Sequence, residues 1–317
     1  MKPFKLAMAA ALCTTAFTTL AVGADFPSKT IEVITHAGAG GGTDVTSRMM
    51  MLRSRRVLKT DMVVVNKRGG NGAAAMNYFL TRPADGHAVL AFTIGHAITV
   101  AKGKTKLKVE DLAPIARGTD DPQIFMVNCK TSPYKKSEDL VAAMKSKKLK
   151  FGTTNAGGID HITAYVFAKK GGLTQPDIVP FKGGGEVATQ LVAGAVDVGV
   201  LNLSEASAQI EAGDICPLIV LANDRMKPIP DAKTAKELGI DAVFSTVRGF
   251  ATHAKVDAAS VKTLEEGLVK AMNHSVYQGF LTSVGLDKSS VVGAEEWKAQ
   301  IIKMIEDMRP AIKEMGL

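Results

Sequence analysis

The sequence predicts an α/β protein built from parallel-rich sheets flanked by helices. Short apolar runs recur along the chain, glycine clusters follow them, and the clusters lead into segments of helical period. Strands alternating with helices of about 10–15 residues are the signature of parallel sheets. Composition agrees, since 46% hydrophobic, 22% charged and 5% aromatic residues describe a globular chain. The length of 317 residues suits two domains, at about 100–200 residues each.

Taken in order, residues 1–24 read as an export signal. Lys2 and Lys5 form a positive start, Leu6 to Val22 is mostly apolar, and Val22-Gly23-Ala24 places small residues before a cut after Ala24. Thr14, Thr15, Thr18 and Thr19 interrupt the apolar stretch, which makes it a poor membrane span of about 20 residues. Leu12 precedes Cys13, where a lipid-anchored protein needs a small residue. The mature chain is therefore expected in the periplasm.

Ile31–Thr35 is the first expected strand, followed by HAGAGGG and a helix from Thr43. Met62–Asn66 leads through KRGGNG into a helix ending at Leu80, and Ala88–Phe92 follows. Phe151–Thr153 leads through TNAGGID into a helix from about Asp160. Asp177–Pro180 leads through FKGGG into a helix reaching Ala193, with Val196–Leu201 and Pro217–Val220 as further strands. The end of the chain reads as two helices, Ser260–Asn273 and Ala294–Lys313.

Lys and Arg total 39 against 31 Asp and Glu, a formal charge of +8 with no run of five like charges. A nucleic-acid groove wants a basic stripe with stacking aromatics. One Trp and four Tyr argue against it, and against a sugar site of stacked rings. Diffuse positive charge suits small anionic ligands.

The glycine loops carry the functional signal. Gly38–Gly42, Gly69–Gly72, Gly157–Gly158 and Gly183–Gly185 each follow a strand, and ligands of open parallel sheets bind at the carboxyl ends of strands. Glycine lets the backbone approach a ligand, and successive amides ahead of a helix form an anion site. Thr43, Asp44 and Asp160 are suited to cap the helices behind them. The plainer reading is that these glycines only make tight turns.

Enzyme readings find little support. GAGGGTD lacks the Lys-Ser or Lys-Thr pair of a phosphate loop. As a dinucleotide fingerprint it lacks the acid at the end of the second strand, where Asn66 stands. There is no GxSxG and no HExxH, and the six His show no ligand spacing. Binding without chemistry, cofactor or metal is the expectation. Cys129 and Cys216 lie beside the apolar runs QIFMVN and PLIVLA. They are either two buried thiols or a pair; adjacent antiparallel strands would bring them within disulfide reach.

Five segments together resemble one family. GADFPSKTIEVITHAGAGGGTDVTSR, VVVNKRGGNGAAAMNYFLTRPADGHAVL, FGTTNAGGIDH, VPFKGGGEVATQLVAGAVDV and ANDRMKPIPDAKTAKELG are similar, in order, to the periplasmic receptors of tripartite tricarboxylate transporters, the Bug or TctC-like family. The resemblance covers essentially the whole mature chain. It implies a two-lobed clamshell of the type II periplasmic binding-protein class, with residues 25–120 and 224–317 in lobe 1 and 121–223 in lobe 2. It also implies a small carboxylate held between the lobes by backbone amides and ordered water. The residues carried over are His36, Gly40, Gly41, Gly42, Thr43 and Asp44 in the first loop, and Thr153, Thr154, Asn155, Ala156, Gly157, Gly158 and His161 in the second. Phe181, Lys182, Gly183 and Asn202 lie beside them.

The departures concern the ligand. His36 stands where the family commonly has Pro, Ala37 where it has Phe, Asn155 for Gly, Gly158 for Ser, and Phe181 for Tyr. Val247-Arg248 replaces an aromatic pair before Gly249, and Arg248 could grip a second carboxylate as a forked donor or simply face solvent. These changes point away from citrate-like specificity; the ligand class implied remains a small di-, tri- or aromatic carboxylate. The implied partners are the ligand and the membrane subunits of a secondary transporter, with the receptor a monomer. A receptor of the same fold serving a membrane sensor kinase, and a nucleotide-dependent α/β enzyme, are the alternatives.

Overall fold

The computed structural model describes residues 26–154 and 156–317. The expected export signal, with Cys13, and the loop residue Asn155 lie outside the described residues.

Chain order is β1 (Ile31–Thr35), α1 (Gly42–Leu58), β2 (Met62–Asn66), α2 (Ala73–Leu80), β3 (Ala88–Thr93), α3 (Ile94–Ala101) and β4 (Leu112–Pro122). Then come β5 (Ile124–Asn128), α4 (Ser137–Met144), β6 (Lys150–Thr153), α5 (Ile159–Lys170), β7 (Asp177–Pro180), α6 (Gly184–Val192), β8 (Val198–Leu201), α7 (Ser207–Glu211), β9 (Ile215–Val220) and β10 (Lys233–Thr234). The chain closes with β11 (Ser245–His253), α8 (Ala258–Met272), α9 (Ser275–Ser283) and α10 (Ala294–Glu314).

Two sheets form, one per lobe. The first has the order β2-β1-β3-β11-β4, the second β10-β9-β5-β8-β6-β7. In the first, β1 pairs parallel with β2 and β3, whereas β11 runs antiparallel between β3 and β4. In the second, β6, β7 and β8 are parallel, and β5 is antiparallel to β8 and β9. The parallel strands of each sheet therefore share one end, from which the glycine loops leave.

The strands β4 and β11 carry no sequence signal. Their cores are polar or interrupted, LAPIARGTDDP and STVRGFATH, so no continuous apolar run marks them. They are long neighbours in one ladder, and β4 runs on through Gln123 into β5 of the other sheet. Phe244 exchanges backbone bonds with Gln123 and Leu221 just before β11. Sheet membership also places the return crossing beyond the boundary expected at residues 223–224: β10 still pairs with β9, and the first sheet resumes only at Ser245. A two-residue edge strand has no periodicity by which the sequence could mark it.

One face of the first sheet packs on α1, α8 and α9 through Val33, Met50, Ala91, Phe250, Leu264 and Tyr277. A second apolar cluster runs from the opposite face, through Phe92, Trp297, Ile305 and Ile312, into Phe125, Phe151 and Phe167 of the second lobe. Helix α10 thus bridges the lobes. Its end is tied to α5 by Tyr165 and Lys169, which both hydrogen-bond Glu314. The strands β5 and β9 are antiparallel with Val127 opposite Cys216. Cys129 and Cys216 form a disulfide with Cα atoms 5.1 Å apart.

Candidate ligand-binding site

The site is assembled from loops at the carboxyl ends of both sheets, and three of them are fixed by one device. A side chain in the first turn of the helix that follows accepts a hydrogen bond from a backbone amide of the loop. Asp44 Oδ2 accepts from Gly40 N at 2.9 Å. Asp160 Oδ2 accepts from Thr154 N at 2.7 Å and from its hydroxyl at 2.6 Å. His161 Nδ1 accepts from Gly157 N at 3.0 Å, and Glu186 Oε2 from Lys182 N at 2.9 Å. Each bond removes loop freedom, while the amides of the first helical turn stay without intrahelical acceptors.

In the first loop Asp44 is wholly committed. Besides Gly40 it accepts from Arg48 Nε and Nη2 at 2.8 and 3.0 Å and from Asn66 Nδ2 at 2.9 Å. The Arg48 bonds are the largest influence holding its carboxyl down at about 2. Asn66 Nδ2 also reaches Ala37 O at 2.8 Å, which ties the first loop to the end of β2. Gly40 has a φ of 80°, a left-handed conformation that favours glycine. Gly41 N donates to Gly38 O at 3.0 Å. Gly42 and Thr43 open α1. His36 is half-buried, edge-on to His96 with ring centroids 4.6 Å apart, and its Nδ1 has no partner. Burial, then the nearby Arg248, lowers its pKa.

In the second loop Thr153 is buried with its hydroxyl unpartnered, and Thr154 is held by Asp160. Ala156 is exposed and Gly158 precedes α5. Gly157 receives Lys102 Nζ on its carbonyl at 3.0 Å, a contact from α3 across the gap. Burial, then Lys102, lowers the pKa of His161. Lys102 thus links the end of α3 in the first lobe directly to the second loop.

Other expected residues take different places. The Phe181 ring lies against Gly152 and joins the core behind the second sheet. Lys182 is exposed. Gly183 caps α6, whose next residue, Gly184, packs on the Glu205 carboxyl. Asn202 acts as a clip: its Nδ2 donates to Asp121 O and Pro122 O at 2.8 and 2.9 Å, and its Oδ1 accepts from the Thr246 hydroxyl at 3.1 Å. It locks β8 to the crossing strands.

Arg248 lies at the centre. It sits on β11 opposite Thr93 on one side and Thr119 on the other. A Cβ on Gly42 would lie 3.0 Å from its Nη2, so the guanidinium rests on the N-terminus of α1. Among the described residues it makes no ion pair. A free guanidinium beside free helix-start amides concentrates positive potential at one point of the cleft, which suits an anion.

Sequence reasoning missed the acids facing it. Asp121 is 5% exposed, and its Oδ1 has no hydrogen-bond partner. Burial pushes its carboxyl up to about 7, opposed by Arg248 and reinforced by Glu205 and Asp120. Glu205, in the turn after β8, accepts from Asn202 N at 2.9 Å, and burial raises its pKa also. Neither carries a sequence signal, because one sits in an unrecognised strand and the other in a short turn.

The comparisons agree with this geometry. Residues 46–317 match the model of the tripartite tricarboxylate transporter family receptors, TctC. A UPF0065 protein of Bordetella pertussis is 27% identical over 332 residues, spanning 100% of this chain and 99% of that one. A ligand-free TctC solute binding protein from Polaromonas superposes with a TM-score of 0.85 at 27% identity, covering 91% of this chain and 99% of the other. An R. palustris protein solved with adipate shares the fold at a TM-score of 0.72 and 21% identity, over 92% and 99% of the two chains. With the two-lobed architecture in place, the chain belongs to the TctC family of tripartite tricarboxylate transporter receptors.

Proposed function

We propose that the protein is a periplasmic receptor that captures a small carboxylate between its lobes and delivers it to the membrane subunits of a tripartite transporter. The observation that carries this reading is the unpaired Arg248 guanidinium resting on the start of α1. The loop-fixing side chains leave the amides aimed and the loops rigid before ligand arrives, so little ordering is needed on binding.

Magnitudes are adequate. A hydrogen bond to a charged group contributes about 1.5–3 kcal/mol, and micromolar binding needs about 8 kcal/mol. Three or four such bonds to one carboxylate, shared between lobes, reach that value and favour the closed state. A ligand shifts the lobes only by its differential affinity for the two states, and a carboxylate touching both loops at once has that property. No chemistry on the ligand is required.

The test is a thermal-shift screen of the mature chain against mono-, di-, tri- and aromatic carboxylates. At 100 times the dissociation constant, stabilisation is about 2.7 kcal/mol. Arg248→Ala weakens every ligand found, by about tenfold or more on loss of a charged hydrogen bond. Stabilisation by nucleotides alone would overturn the reading, and uptake assays with the transporter test delivery.

A further inference from the structure

The cleft holds opposite charges that do not neutralise each other. Arg248 rests on the start of α1, and Asp121, with its Oδ1 buried and unpartnered, lies two residues along the neighbouring strand; Glu205 comes from the second lobe. Arg248 acts on both acids through space, yet it forms no direct ion pair with either among the described residues. Register sets this arrangement. Arg248 pairs with Thr119 and Thr246 with Asp121, so alternate residues of β4 and β11 share one face. Two more buried acceptors without partners lie close by, the Thr119 hydroxyl on β4 and Gln123 Oε1 between β4 and β5. Gln123 Nε2 is already used on the Thr246 hydroxyl at 2.8 Å, so its oxygen is what remains.

Buried acceptors without donors are costly unless something supplies the donors. A second carboxylate would be repelled there. A metal ion is a poor fit. No group of three or more His, Cys, Asp or Glu side chains able to hold one occurs among the described residues, and hard cations take about six to eight oxygens.

Resting on the carboxylate-receptor reading above, we infer that the ligand is an amino-carboxylate, with its carboxylate at Arg248 and the start of α1 and its protonated amine received by Asp121 and Glu205. The amine supplies the donor that Asp121 Oδ1 lacks and adds a second positive charge to that of Arg248. Burial raises the pKa of both acids despite the opposing charge of Arg248. Each end of such a ligand meets the opposite sign, which selects it over plain di- and tricarboxylates by attraction at one end and repulsion at the other.

The experiment is calorimetry of the mature protein with matched pairs that differ by one amine: butyrate and 4-aminobutyrate, glutarate and glutamate, adipate and 2-aminoadipate. The aminated member of at least one pair binds about tenfold or more tightly than its parent, as one charge-assisted contact warrants. Asp121→Asn and Glu205→Gln each remove most of that preference and leave the parent acid bound equally or better. Parent acids that bind as well as their aminated partners in every pair overturn the inference and leave the carboxylate reading standing. So does a preference that survives in both variants. Failure of every acid in all three pairs overturns both. Glu205→Gln keeps an oxygen for Asn202 N, so it reports even where Asp121→Asn disturbs the crossing strands.

Discussion

Replacing Asp121 by asparagine removes a buried charge while keeping the shape of the side chain, and the structure fixes the sign of the result. The carboxyl titrates at about 7 in the folded protein against an ordinary 3.8. Folding therefore favours the protonated form. The stability this group contributes is fully present below about pH 4 and is lost as pH rises through about 7. The interval at about 1.4 kcal/mol per pH unit sets an upper bound of about 4 kcal/mol on what the charged carboxylate costs at pH 8. The groups that set the value are Arg248 on β11, which opposes the shift, and Glu205 and Asp120, which reinforce it. Ligand-free wild type and Asp121→Asn are unfolded in urea at pH 4 and pH 8, and the difference between the two proteins is compared, so that other titrating groups cancel. The variant is the more stable by about 2–4 kcal/mol at pH 8, and the gap nearly closes at pH 4. An equal gap at both pH values, or a variant weaker at pH 8, would refute the assignment of Asp121 as a buried carboxylate without a cation.

Asp44→Ala removes the acceptor shared by Gly40, Arg48 and Asn66. It lowers stability by about 1–3 kcal/mol and weakens ligand binding in calorimetry while the protein stays folded; unchanged affinity would show that the fixed loop does not serve the site. Breaking the Cys129–Cys216 bridge, which spans 87 residues of chain, lowers stability by at most about 4–5 kcal/mol in the chain-entropy account. Denaturation with and without reductant measures it, and two free thiols on alkylation without reductant would count against the bridge. Lys102→Ala combined with Glu314→Ala cuts the links of α3 and α10 to the second lobe. The ligand-free protein then scatters X-rays with a larger radius of gyration, and identical scattering would mean that these links do not hold the lobes together.

What the sequence disclosed follows from where periodicity is strong. Strands such as Ala88–Thr93 are buried at every position, so they read as apolar runs, and the order of residues alone suffices to place their glycine loops at the carboxyl ends. The crossing strands are illegible for the opposite reason. Arg248, Thr119 and Asp121 are polar residues aimed at a cleft, so they break the pattern by which strands are recognised. The carboxylate of Asp44 shows a second limit. Its position beside the glycines suggests contact with ligand, but only three-dimensional neighbours reveal that all its bonds go to the loop and to Arg48 and Asn66. Phe181 and Asn202 are similar, since packing against a core cluster and bonds between strands are invisible when only the order of residues is known.

The placement of Arg248 links recognition to movement. It lies on β11, the strand by which the chain re-enters the first sheet, and opposite β4, the strand by which the chain leaves it. Two residues away, Thr246 is bonded to Gln123 and to Asn202, which in turn holds Asp121 and Pro122. A ligand drawn to Arg248 therefore loads the same short stretch of chain about which the lobes must turn. Asp121, on that stretch, is a carboxylate whose charge burial makes costly. An amine that relieves it stabilises the closed arrangement in which Asp121, Glu205 and Arg248 surround one small molecule. Closure and selectivity then depend on one set of residues, and a variant that weakens the choice between aminated and plain acids also weakens the drive to close.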